Sequence, residues 1–123
     1  VTKGVKAIKL NDGDYVVSAR VVPKTTKEII SITHKGLSKR SNIKDFYIGS
    51  RYTKGQKIQK LKDSKDNLVD FLPIEENCSI IVVSNKTQLK ITTDSINLLS
   101  KDTYGAKSIK MDEKNSVEKL LKC

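Results

Sequence analysis

Aromatic residues make up only 5% of the 123-residue chain, and tryptophan is absent. That is lean for one large core, so small β-branched side chains must do most of the packing. The two cysteines, Cys78 and Cys123, are too few for a disulfide framework or a cysteine-ligated metal. His34 is the only histidine. No apolar run approaches the roughly eighteen residues of a membrane span, and no apolar segment marks the N-terminus as a signal peptide. These absences lead us to expect a reduced, cytoplasmic protein that does not enter membranes. No G-x-x-x-x-G-K-[ST] occurs, so the glycines do not form a P-loop. Acidic residues are scarce too: 14 against 24 Lys and Arg, a net charge of +10. Such an excess fits a polyanionic partner, an anionic surface or simply a solvated basic face.

What the chain does have is a repeat. VTKGVKAIKLNDGD returns as YTKGQKIQKLKDSKD and again as TYGAKSIKMDEKN. Gly4, Gly55 and Gly105 recur at intervals of 51 and 50 residues. Lys6, Lys57 and Lys107 keep step, as do Lys9, Lys60 and Lys110, and Leu10, Leu61 and Met111. EIISITHKGLSKRSNI aligns with SIIVVSNKTQLKITTD, matching Ile29 with Ile80, Ile30 with Ile81, Lys35 with Lys86 and Lys39 with Lys90. A fixed period near fifty marks an array of similar units. The units are expected at 1–52, 53–102 and 103–123, the third stopping unfinished, as in a piece of a longer protein.

Within each unit the pattern is β. Val5–Leu10 alternates apolar residues with Lys, and Tyr15–Val22 is rich in valine beyond an Asp-Gly turn, so the two read as a hairpin. Glu28–Thr33 and Leu37–Ile43 form a second pair around the turn His34-Lys35-Gly36. The second unit repeats the scheme at 57–61, 68–72, 79–84 and 88–92, with Pro73 ending a strand. Four strands per unit is the arithmetic of a propeller blade. Residues 112–122 have helical spacing, yet the repeat register places 117–122 on the strand at 16–21. We follow the register. The fold expected is all-β, a β-pinwheel or propeller-like array of four-stranded blades, here about two and a half of them.

The first unit resembles the C-terminal domain of bacterial type IIA topoisomerase A subunits, the family of DNA gyrase and topoisomerase IV. The residues that carry the likeness are Thr2, Gly4, Val5, Lys6, Ile8, Leu10, Gly13, Asp14, Val16, Val17, Val21 and Val22. Thr33, Gly36, Lys39, Arg40 and Ile43 carry it in the following stretch. The second unit is looser, with Thr87 in place of the glycine and Ile91 in place of the arginine. The resemblance implies a β-pinwheel whose neighbouring blades exchange a strand, with duplex DNA bent around a basic rim. It implies two further partners in the intact enzyme: the N-terminal cleavage domain of the same polypeptide and the separate ATPase polypeptide, the B subunit. Nucleoid association follows from the DNA. Gyrase carries a box Q-R-R-G-G-K-G, and Gly49–Gly55 agrees with it only at Arg51, Lys54 and Gly55. That favours topoisomerase IV, whose boxes are degenerate.

The charge pattern reaches DNA on its own. Lysines neutralise phosphates and release counterions without reading sequence. The expected contacts are Lys6, Lys57 and Lys107 as one registered set and Lys39, Arg40 and Lys90 as a second. Lys35 and Lys86 sit at the matching turns, and Arg51 and Lys54 on the linker between blades. A charge run is often only a solvated face; the register is what argues for a stripe. Gly4, Gly55 and Gly105 are expected to serve a tight bend or a close backbone contact. His34 stands opposite Asn85 and reads as a turn residue. Asp12 and Asp14 make a poor metal site. The tyrosines receive no role, because the resemblance puts the cleaving tyrosine in a separate domain. No catalytic residue, metal or cofactor is expected. The alternative is a propeller-type scaffold for other proteins, which calls for an exposed apolar patch. Blades left open would expose strand edges and invite self-association.

Overall fold

The computed structural model describes residues 15–46, 58–61, 65–99, 103–107 and 115–123. Within them the chain forms seven strands: β1 (Glu28–Thr33), β2 (Leu37–Asn42), β3 (Leu68–Ile74), β4 (Ser79–Ser84), β5 (Gln88–Thr92), β6 (Ala106–Lys107) and β7 (Val117–Lys122). They build two sheets, one ordered β3-β1-β2-β6 and one ordered β5-β4-β7, and every pairing is antiparallel. Neither sheet is made by one repeat. The hairpin β1–β2 of the first repeat takes β3 from the second, and the hairpin β4–β5 of the second takes β7 from the third. The expected all-β, strand-exchanged architecture is therefore present.

One apolar cluster joins the sheets: Ile30, Ile32, Leu72 and Ile74 from the first, Ile80, Val82, Val117 and Leu120 from the second, with Ile96 between. Strand periodicity puts Ile30 and Ile32 on one face, as it does Ile80 and Val82. This corrects the sequence alignment by one residue. Ile30, not Ile29, is the counterpart of Ile80: Ile30 pairs with Arg40 and Leu72, and Ile80 with Ile91 and Lys122. The second hairpin absorbs the extra residue. Five residues separate Ile32 from its partner Ser38, and six separate Val82 from its partner Leu89. Lys39 and Lys90 remain equivalent, opposite Ser31 and Ile81.

Three other expectations change. Residues 15–22 form no strand, and Tyr15, Val16, Val17 and Val21 are exposed. Their counterparts β3 and β7 each pair with the hairpin of the preceding repeat; among the described residues no strand pairs with 15–22. The expected strand at 57–61 reduces, where described, to a single parallel bridge from Lys60 to Tyr104. Pro73 does not end β3 but lies inside it, opposite Ile29. β3 is an edge strand, where a missing N–H breaks no ladder bond. Val5–Leu10 and the Asp-Gly turn lie outside the described residues. Residues 117–122 are a strand, as the register requires. Their helix-like spacing has a local cause: a bulge at Val83/Ser84 pairs Ser84 with Val117 and Val83 with Lys119, which lets Val117 and Leu120 both enter the core.

Asp70 ties the three repeats together. Its carboxylate accepts from Ser18 Oγ (2.8 Å), from Arg20 Nε (3.2 Å) and Nη2 (2.7 Å), and from the backbone N–H groups of Phe71 and Leu120 (both 2.8 Å). Arg20 Nη2 also donates to the Leu120 carbonyl at 2.9 Å. The ion pair therefore engages both outward-facing main-chain groups of Leu120 and blunts the edge of β7. Burial alone would raise the pKa of Asp70, but the bonds from Arg20, Leu120, Ser18 and Phe71 outweigh it and hold it below the usual carboxylate value.

Candidate nucleic-acid interface

The basic residues expected to meet DNA separate into groups once they are placed on the sheets. Lys35 lies in the β1–β2 turn and Lys86 in the β4–β5 turn, and both are exposed. Gly36, at φ 90°, closes the first turn, where its N–H donates to Thr33 O at 2.9 Å. Such a conformation suits glycine. The second turn closes through Ser84 and Thr87, with Ser84 N donating to Thr87 O at 2.9 Å.

The two turns share one side of the molecule, laced together by main-chain bonds. His34 N donates to Asn67 O (2.7 Å), Val117 N to His34 O (2.9 Å), and Asn85 N to Ser116 O (3.0 Å). Asn85 Oδ1 accepts from Ser116 N at 3.0 Å. Asp66, buried beneath the first turn, accepts from Lys35 N (3.0 Å) and Asn67 N (2.9 Å). Lys65, next to it, is exposed on the same side. Sequence reasoning passed over Lys65 because it breaks register: the first repeat has Asp14 at that place. His34 is an exposed turn residue, as expected.

Lys39 does not reach the surface, which corrects the expectation for that residue, and Arg40 is engaged within the fold. Lys39 is fully buried, and its Nζ donates to the Thr103 carbonyl at 3.3 Å. Arg40 is half-buried; its Nη1 pairs with both carboxylate oxygens of Glu28 (3.0 and 3.1 Å), and its Nε donates to Ile96 O at 2.7 Å. These two residues fasten segments of later repeats onto β2. Gly105 belongs to the same seam. A Cβ there would lie 2.9 Å from Ser38 N and 3.0 Å from Leu37 C and would overlap the Gln59 amide. Gln59, itself buried, accepts from Ser31 Oγ (2.8 Å) and donates to Leu37 O (3.2 Å). The repeated glycine is thus a close-contact glycine at the one position the structure describes. Lys90 and Lys107 are exposed on β5 and β6. Lys6, Arg51, Lys54 and Lys57 lie outside the described residues.

Among the described residues no group of three His, Cys, Asp or Glu side chains is placed to hold a metal, and no helix is long and apolar enough to cross a membrane. The described part of this surface offers positive charge on hairpin turns, without a pocket of converging reactive groups. It suits contact with an extended anion.

Comparison with known proteins agrees with the fold. The family described as DNA gyrase C-terminal domain, beta-propeller, matches residues 1–23 and 27–75, more than half of the chain. The chain belongs to the DNA gyrase C-terminal domain family. The DNA gyrase A subunit of Buchnera aphidicola is 32% identical over 97% of the chain, and that of Ureaplasma parvum 29% identical over 98%. The chain spans 14% of the length of each. Among solved structures, the C-terminal domain of DNA topoisomerase IV superposes with a TM-score of 0.83 at 22% identity, covering 96% of this chain and 37% of that one. The DNA gyrase A C-terminal domain superposes with a TM-score of 0.72 at 23% identity, covering 80% of this chain and 34% of that one. Both likenesses establish the pinwheel fold.

Proposed function

We propose that this chain is a non-catalytic module that binds and bends duplex DNA for a type IIA topoisomerase, through phosphates and without reading bases. The observation that carries it is the pair of repeat-related turns bearing exposed Lys35 and Lys86, laced together on one side with Lys65 beside them. Exposed Lys107, in register with Lys6 and Lys57, and Arg51 and Lys54 on the linker between units are proposed as further phosphate contacts. In the intact enzyme the strand-cleaving domain and the ATPase partner would supply the chemistry, and the assembly would work on the nucleoid in the cytoplasm. Bending DNA over a curved surface costs on the order of several kcal/mol, offset by many phosphate contacts. The finer reading, topoisomerase IV rather than gyrase, rests on the degenerate box at Gly49–Gly55; the curated relatives named above carry the gyrase name. The three units at 1–52, 53–102 and 103–123 are proposed as successive blade repeats. A scaffold for other proteins would call for an exposed apolar patch, and the valine-rich stretch 15–22 is one; that its repeat counterparts β3 and β7 are strands favours the DNA-binding reading.

The test is the affinity of the chain for a random-sequence duplex across a salt series. Log affinity should fall linearly with log salt, whatever the sequence. Charge reversal of Lys35, Lys65 and Lys86 together should weaken binding at low salt and flatten the slope by about 3. Unchanged affinity in that triple variant, with its fold intact, would remove these turns from the interface; no binding of the native chain at low salt would remove the proposal.

A further inference from the structure

The two turns that carry Lys35 and Lys86 are held from beneath in different ways. In the first, Lys35 N donates to Asp66 Oδ1 at 3.0 Å, and Asn67 N donates to the same oxygen at 2.9 Å. Asp66 is only 1% exposed, and it lies 31 residues beyond the lysine whose backbone it holds, in the second repeat. The first turn is thus fixed from outside its own hairpin. The other carboxylate oxygen, Oδ2, is buried with no hydrogen-bond partner, so Oδ1 alone carries both bonds.

The second turn has the same outline without that pin. Asn85 N donates to Ser116 O at 3.0 Å, as His34 N donates to Asn67 O at 2.7 Å. Asn115 stands two residues ahead of β7, as Asp66 stands two ahead of β3. Its side chain does not reach the turn: Oδ1 is buried and accepts no hydrogen bond. Lys86 N donates within its own hairpin, to Ser84 Oγ, at 3.4 Å. A neutral hydroxyl at that distance holds an N–H weakly, whereas a bond to a carboxylate is about twice as strong as a neutral one.

We propose that Asp66 is the positioning residue for Lys35: it presets the first turn for contact with a phosphate, while the Lys86 turn adapts as the duplex docks. The inference rests on the DNA-binding reading above. Asp66 is buried and acts through the main chain of Lys35. Its charge opposes the phosphates, so its contribution comes through the acceptor at Oδ1. A turn ordered before the duplex arrives spares binding the cost of ordering it.

The experiment measures affinity for a random-sequence duplex over a salt series, with substitutions made singly and in pairs. In the native chain, Lys35→Met and Lys86→Met should each reduce the salt slope by about 1. Asp66→Ala should weaken binding. On that background Lys86→Met should keep its effect, and Lys35→Met should lose most of its own. Asp66→Asn keeps an acceptor at Oδ1 and removes the charge, so it should bind DNA at least as tightly as the native chain. The proposal is overturned if Lys35→Met has the same effect with and without Asp66, or if Asp66→Asn loses as much affinity as Asp66→Ala. Should Asp66→Ala fail to fold, amide hydrogen exchange of the free native chain decides. The Lys35 N–H should exchange about ten-fold more slowly than the Lys86 N–H, and Asp66→Asn should keep that protection. Equal rates at the two turns would overturn the proposal. All these failures leave the turns in the interface; silence of both lysines in the native chain would remove the interface, and this proposal with it.

Discussion

At the scale of single residues, Asp70 and Gly105 show what the seams between repeats demand. Asp70 is buried, yet its five hydrogen bonds hold its pKa below the ordinary value. A depressed carboxylate pKa contributes stability that is present above the unfolded value, near 3.9, and is lost as pH falls through the folded value. Asp70→Asn should therefore lower stability at neutral pH, on the order of 2 kcal/mol, since Arg20 would lose its partner while keeping some contact with water. It should also flatten the decline in stability below about pH 4. Urea unfolding from pH 2 to 7 measures both; equal acid sensitivity in variant and native chain would contradict the assignment. Gly105→Ala should cost about 1–3 kcal/mol, because the added Cβ meets strand backbone that cannot turn aside. Thermal unfolding reads it directly.

Among the elements, β2 and β5 are one design in two states. They occupy equivalent places in their hairpins and differ in what lies against them. Lys39→Met tests the structural role of the buried lysine. It should leave the Thr103 carbonyl without its Nζ donor and lower the thermal midpoint, while DNA affinity per folded molecule stays unchanged. A loss of DNA affinity without a change in midpoint would put Lys39 back on the phosphates. The strands themselves were largely legible from sequence. β1, β4 and β5 fall where the β-branched runs place them, and β7 where the repeat does, against its own helical spacing. The one-residue register error at β4 arose because EIISIT and SIIVVS both contain an Ile-Ile step. Either isoleucine fits the alignment. Packing chooses, since a shift by one residue turns the strand inside out.

For the whole molecule, the core is shared between sheets, so cooperativity should extend across the repeats. Ile30→Ala in the first sheet and Ile80→Ala in the second each remove a fully buried side chain from the same cluster. Each should cost about 2–5 kcal/mol, and each should lower one common unfolding transition. Calorimetry that resolved two independent transitions would show the sheets folding separately. The candidate interface belongs to this scale too. Lys35, Lys65 and Lys86 lie far apart in sequence and share a side only because 66–67 and 115–117 lace the two hairpin turns together.

The sequence by itself determined the repeat, the β class, the strand-forming segments and the basic excess, because periodicity, β-branching and charge are properties of residue order. Only the tertiary structure decided which lysines face water. Lys39 and Lys90 are the same residue in the same repeat position, and local sequence cannot distinguish them. Lys39 is buried because a segment more than sixty residues later crosses its strand and offers it a carbonyl. Lys90 is exposed because, among the described residues, no such segment crosses β5. Burial is set by long-range partners, and register alone does not supply them.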